Sequence, residues 1–154
     1  MTEKLFDLAF PLAAPFWALM IFVPGWSWTK RIAGSPLIVL VPLVPYFAAV
    51  ATILPSFAAE MARPDLAGVL AVLSTPEGTA TVWAHLIAFD LFIGRWMYLD
   101  SRALRIHGLF MAPVLILTIV LTPFGLTLYL IIRTVRKCLI KSSRPGAEAC
   151  PPTP

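Results

Sequence analysis

The chain has 154 residues, enough for one domain, with 59% apolar and 13% charged against roughly 45–50% and 25% in soluble domains. Three charge-free runs hold 22 residues between Asp7 and Lys30, 28 between Arg31 and Glu60, and 27 between Arg105 and Arg133. Each passes the ~20 residues that a bilayer helix needs, which excludes a soluble globular protein. The net charge of +4 sits in one place: residues 133–154 carry five bases (Arg133, Arg136, Lys137, Lys141, Arg144) and one acid (Glu148), while the preceding 132 carry seven of each. A basic segment just after an apolar one rests against anionic lipid heads, and no folded basic surface is left for nucleic acid.

In chain order, the first helix spans about Leu5 to Val23, interrupted by Pro11 and Pro15 and closed by Pro24-Gly25. It is too long and too acidic at its start for a signal peptide, so it is read as a retained helix. Trp26 to Arg31 mixes aromatics and cations, as at a headgroup boundary. A second helix covers about Pro36 to Phe57. Between Ala58 and Gly78 the chain is too polar to span, but Pro64-Asp65 starts a short interfacial helix with Leu66, Val69, Leu70 and Leu73 on one face. The third helix, about Thr79 to Leu99, is the one that contains Asp90 and Arg95. A fourth runs from about Leu109 to Ile132, kinked at Pro123-Phe124-Gly125. The expected fold is all-α: an integral membrane four-helix bundle over residues 1–141, then a disordered basic, proline-rich tail over 142–154.

Four spans put both termini on one side. That side counts Lys4, Arg63 and the five tail bases, against Lys30, Arg31, Arg102 and Arg105 opposite, so the termini are expected in the cytoplasm. Cys138 and Cys150 both lie in the tail, cannot staple the core and suit a reducing compartment as free thiols.

The unusual residues fall in one stretch, Trp83 to Asp100. Ionisable groups inside a membrane are costly and are functional candidates by default. At 100° per residue, Ala80, Ala84 and Ala88 form a stripe for close helix contact, with Arg95 and Tyr98 on the same face. His85 and Asp90 lie on other faces, so the third helix is expected at the centre of the bundle. Each residue also has a purely structural reading. Arg95 can reach the headgroups and pair with Asp100 or a lipid phosphate, while Asp90 can stay neutral or pair with Arg95. His85 can bond a carbonyl, and Trp96 and Tyr98 can serve as belt residues. A metal site is not supported, because His85 and Asp90 do not share a helix face and no further ligands lie nearby. Phosphate loops and nucleophile elbows are absent as well.

The run Asp65-Leu66-Ala67-Gly68, the pattern Trp83, His85-Leu86, Asp90-Leu91-Phe92, Arg95, Tyr98, Asp100, and the opening Pro24-Gly25-Trp26-Ser27-Trp28-Thr29-Lys30-Arg31 resemble the abscisic-acid-deficient, neoxanthin-synthase-like membrane protein family. Thr122-Pro123-Phe124-Gly125 is similar to that family's last proline-glycine element, and the match covers about residues 5 to 130. The resemblance implies a carotenoid-related role. Plant relatives are plastid-envelope proteins required to convert violaxanthin to neoxanthin. With no transit peptide ahead of the motif, a bacterial member is expected, in an inner or thylakoid-type membrane. That conversion is an isomerisation: an epoxide opens to an alcohol while a vinylic proton leaves to form an allene, so no cofactor is required. It needs an acid at the epoxide oxygen and a base near the proton. Asp90 as acid and His85 as base are the catalytic candidates, with Trp83, Arg95, Trp96, Tyr98 and Asp100 as binding residues. The competing reading is a non-catalytic protein that binds a carotenoid, quinone or other isoprenoid, or scaffolds a pigment enzyme. Transport would need paired halves, which a chain this short supplies only as a homo-oligomer.

Overall fold

The computed structural model describes residues 1–142; the tail expected over 142–154, apart from Ser142, lies outside the described residues. Among the described residues every regular element is helical: α1 Thr2–Phe22, α2 Ser27–Gly34, a 3-10 turn Pro36–Val39 running into α3 Leu40–Ala62, α4 Leu66–Leu73, α5 Pro76–Ala103, α6 Gly108–Val120 and α7 Thr122–Ser142. Two stretches, Thr2–Phe22 and Pro36–Ala62, are long and apolar enough to cross a membrane.

Local chemistry sets the boundaries. Thr75 caps α5, accepting from the Gly78 amide at 3.0 Å, and Pro76 takes the first turn, where a missing N–H costs nothing. Asp65 caps α4 in the same way through Gly68 at 2.9 Å. This is the short helix expected between the second and third spans. The Trp26–Arg31 stretch goes further than a boundary marker, because it folds as α2.

α5 is the hub, with α1 and α3 against it. Ala80, Ala84, Ala88 and Leu91 are buried on it, and Ala84 and Leu91 share one core cluster with Ala9, Ala13 and Trp17 of α1. Small residues let the axes approach closely, and Gly94 is the tightest point: a β-carbon there would overlap the Trp17 ring. The ends define direction. Thr2 donates to Glu77 at 3.0 Å where α1 and α5 begin, and the Tyr98 hydroxyl donates to the Pro24 carbonyl at 2.8 Å where α1 has ended. α1 and α5 therefore run parallel, from an upper to a lower end, and α3 climbs back packed against both.

The fourth span does not form as one helix. Leu121 leaves the helical region (φ −142°, ψ 74°) and the chain turns back on itself. Pro123 sits in the first turn of α7, where its missing N–H leaves no bond unmade. The two arms meet at Gly125, where a β-carbon would stand 2.7 Å from the Thr118 backbone N and Cα. α6 thus climbs from Gly108, beside Pro24, and α7 descends parallel to α5. Thr122 meets Asp90, Tyr129 and Arg133 meet Asp100, and Arg136 meets Leu104. The 13 residues of α6 rise about 20 Å, well short of a ~30 Å hydrocarbon layer. Against the expected pairing of both termini on one side, Thr2 is at the upper end while Arg133 and Arg136, toward the end of the described residues, are at the lower.

Candidate functional site

The residues that stood out in the sequence all lie on α5, and each meets a different neighbour. Near the top, Trp83 stacks on Phe6 of α1 with ring centroids 5.2 Å apart. Two residues on, His85 turns toward α3. It lies 4.9 Å from the Phe89 ring and 5.7 Å from Tyr46, and the row continues to Phe47 (5.3 Å from Tyr46) and Phe92 (6.4 Å from Phe89). His85, Phe47, Phe89 and Phe92 are all exposed. From His85 to Phe92 the strip rises about 10 Å along α5.

Asp90 points the other way, to the tip of the α6–α7 hairpin. Thr122 contacts its Oδ1 and also lies 2.8 Å from the Thr118 carbonyl. A threonine hydroxyl has a single hydrogen. The Thr122 hydroxyl is the donor to both, so its one hydrogen is shared between the Asp90 carboxyl and the Thr118 carbonyl. Asp90 and His85 are not brought together: they sit ~140° apart around the helix and about 7.5 Å apart along it. Arg95 pairs with neither Asp90 nor Asp100. It donates to the carbonyls of Gly34 at 2.8 Å and Ser35 at 3.3 Å, and so caps α2.

At the lower end a cluster forms that includes two of the expected binding residues. Asp100 accepts from the Tyr129 hydroxyl and from Arg133, whose Nε is at 2.8 Å and Nη2 at 3.4 Å. Trp96 packs edge-on to Tyr129 at 5.5 Å, with the Arg133 guanidinium 5.7 Å from its ring centre. Tyr98 is fully buried and holds the α1–α2 turn through Pro24. Among the described residues no group of three or more His, Cys, Asp or Glu could hold a metal ion.

Sequence reasoning missed Thr122, Tyr129 and Arg133. Tyr129 and Arg133 stand four apart on one helix face, inside an otherwise apolar run, and that spacing was the available signal. Tyr46 carried none, being one more aromatic in an apolar helix.

Comparison with known proteins bears on the same residues. The family model described as ABA DEFICIENT 4-like matches residues 4–129, which takes in the whole α5 pattern, Thr122 and Tyr129 but stops short of Arg133. The protein ABA DEFICIENT 4, chloroplastic, of Arabidopsis thaliana is 29% identical over 105 residues, covering 64% of this chain and 48% of that protein. The chain thus spans about half the length of the curated relative it matches. No solved structure matches it. With the family model covering most of its length, the chain belongs to the ABA DEFICIENT 4-like family.

Proposed function

We propose that the chain is an integral membrane protein that binds an elongated xanthophyll-type polyene along the outward aromatic strip of α3 and α5. The strip itself carries this reading: His85 sits among Tyr46, Phe89 and Phe92 on a surface that faces lipid, where a rigid conjugated chain gains stacking contact. Membership of the family and the likeness to ABA DEFICIENT 4 support a carotenoid-type ligand. The catalytic form of the reading uses His85 as base beside the bound polyene and Asp90 as acid. Because Asp90 faces the hairpin on another side of α5, it serves that reaction only after Thr122 releases it. Binding needs no such motion, so the geometry supports binding best.

The experiment is expression in a xanthophyll-producing host, followed by pigment analysis of the purified protein and of the cells. Phe89→Ala removes stacking and contact area worth about 1–2 kcal/mol, so bound pigment should fall about tenfold. Asp90→Asn should leave pigment binding and the cellular xanthophyll profile unchanged. Purified protein without pigment would sink the binding reading. A profile that depends on Asp90, with product formation lowered by ~10²–10⁴, would install the catalytic one.

In the membrane, α1, α3 and α5 cross, α4 lies on the upper surface, and the α6–α7 hairpin enters from the lower side and returns to it. Such a hairpin is tolerated at depth because the amides of its turn are bonded within it (Leu121 to Leu117, Phe124 and Gly125 to Leu121) and the side chains it exposes, Val120, Leu121 and Phe124, are apolar. This arrangement polarises the charge. The upper end holds Lys4 and Arg63 with five acids (Glu3, Asp7, Glu60, Asp65, Glu77). The lower end holds Lys30, Arg31, Arg95, Arg102, Arg105, Arg133, Arg136 and Lys137 with one acid, Asp100. The positive-inside bias then places the lower end in the cytoplasm and the N-terminus outside. Reporters fused at the N-terminus and after Ser142 should read opposite sides. Equal reading would return the single fourth span and reject the half-depth hairpin.

A further inference from the structure

At the lower end, the α5–α6 turn and the second half of α7 enclose an open groove of about 530 Å³. Its walls are apolar and turned outward, with Phe110 on α6 and Ile131 and Val135 on α7 all exposed. Its mouth is lined by the cations Arg105 and Arg136 and by His107, whose Nδ1 accepts from the Leu109 amide at 3.3 Å. Arg136 donates from Nε to the Leu104 carbonyl at 3.3 Å and from Nη2 to the Arg105 carbonyl at 3.5 Å. Those acceptors are neutral, so the guanidinium keeps its charge unmatched. Asp100, the one acid at this end among the described residues, is already in an ion pair with Arg133 at 2.8 Å.

Arg105 supplies a second observation. It closes α5 in the left-handed region, φ 54°, while the Ile106 amide bonds the Ser101 carbonyl at 2.9 Å. Helices usually put glycine at this position, because glycine adopts the conformation at no steric cost. A strained backbone at a cleft points to use of the side chain there. We infer that the groove seats one anionic phospholipid, its phosphate held between Arg105 and Arg136 and an acyl chain laid along Phe110, Ile131 and Val135. A small soluble anion leaves the apolar wall bare, and a lipid with a neutral headgroup leaves the cations unmatched. An anionic phospholipid satisfies both. The inference rests on the membrane reading above and adds a specific lipid site to it.

The test uses the full-length chain purified in mild detergent. Phosphatidylglycerol and phosphatidylcholine of identical acyl chains are offered at low salt, and bound lipid is counted by native mass spectrometry. Two cations, each giving about fivefold, predict a preference of roughly 25-fold for phosphatidylglycerol, shrinking as salt is raised. Arg105→Gly deletes the charge while relieving the left-handed strain, so it should fold at least as well as wild type, with the preference reduced to about fivefold. Adding Arg136→Gln should abolish the preference, while Lys4→Gln with Arg63→Gln at the other end should leave it intact. Val135→Trp, which fills the apolar wall, should lower binding of both lipids together. Equal binding of the two lipids by wild type, or an undiminished preference in Arg105→Gly, overturns the site. Release of the wild-type chain from membranes by alkaline carbonate overturns the membrane reading instead, so the two failures are distinct.

Discussion

Gly125→Val should force the α6–α7 hairpin apart and destabilise the detergent-solubilised protein by about 3 kcal/mol. The added carbons would enter space held by the Thr118 hydroxyl and by its backbone N and Cα, the latter two at 2.7 Å from the first of them. Backbone cannot rotate aside, so the two helices must separate. Separation pulls Thr122 from Asp90 and strains the Tyr129–Asp100 contact further down, which couples one substitution to the whole α5–α7 seam. Gly25→Ala is the matched control, since nothing lies within 4 Å of its added carbon. A melt of Gly125→Val that overlays wild type would mean that α6 and α7 do not fold back on each other.

Asp100→Ala should cost about as much, for a different reason. Tyr129 is 0% exposed, and its hydroxyl would lose its acceptor, at about 1–3 kcal/mol for a buried unsatisfied group. The Arg133 pair adds little, because the side chains of Arg133 and Asp100 are 30% and 20% exposed and water screens them. Asp100→Asn keeps an oxygen for Tyr129 and should melt well above Asp100→Ala. The double variant Asp100→Ala with Tyr129→Phe should melt above Asp100→Ala alone, because no buried hydroxyl is then left unpaired. If the double variant melts no higher than the single one, Tyr129 does not depend on Asp100.

Hydropathy made α1 and α3 legible because their charge-free runs are long and prolines mark their ends, whereas α5, interrupted by Asp90 and Arg95, has no such run. The same measure failed at the fourth. Leu109 to Ile132 is as apolar as a span, and hydropathy cannot register that Leu121 turns, since an apolar hairpin and an apolar helix have the same composition. Thr122-Pro123 and Gly125 held the information, as a helix stop followed by a residue that permits close approach. α2 was hidden for the opposite reason: Ser27 to Gly34 is too short and too charged for a hydropathy window. Its end is fixed by Arg95 from 61 residues away in sequence. The helix wheel put His85 and Asp90 on separate faces, and the structure turns them to α3 and to Thr122. Their partners Tyr46 and Thr122 follow from tertiary packing, on which helical periodicity is silent.

On the proposed membrane reading, the reversal at Leu121 also sets how the chain would enter a bilayer. A fourth crossing would have to carry Arg133, Arg136 and Lys137 through the hydrocarbon, at ~2.5–3.5 kcal/mol for each charge at the centre. In the proposed orientation those residues stay on the side where the ribosome delivers them, and only the apolar tip dips inward. Insertion of this last segment is then a docking event against an assembled α1–α3–α5 core. In that orientation, truncating the C-terminal hairpin should leave the direction of the other three helices unchanged.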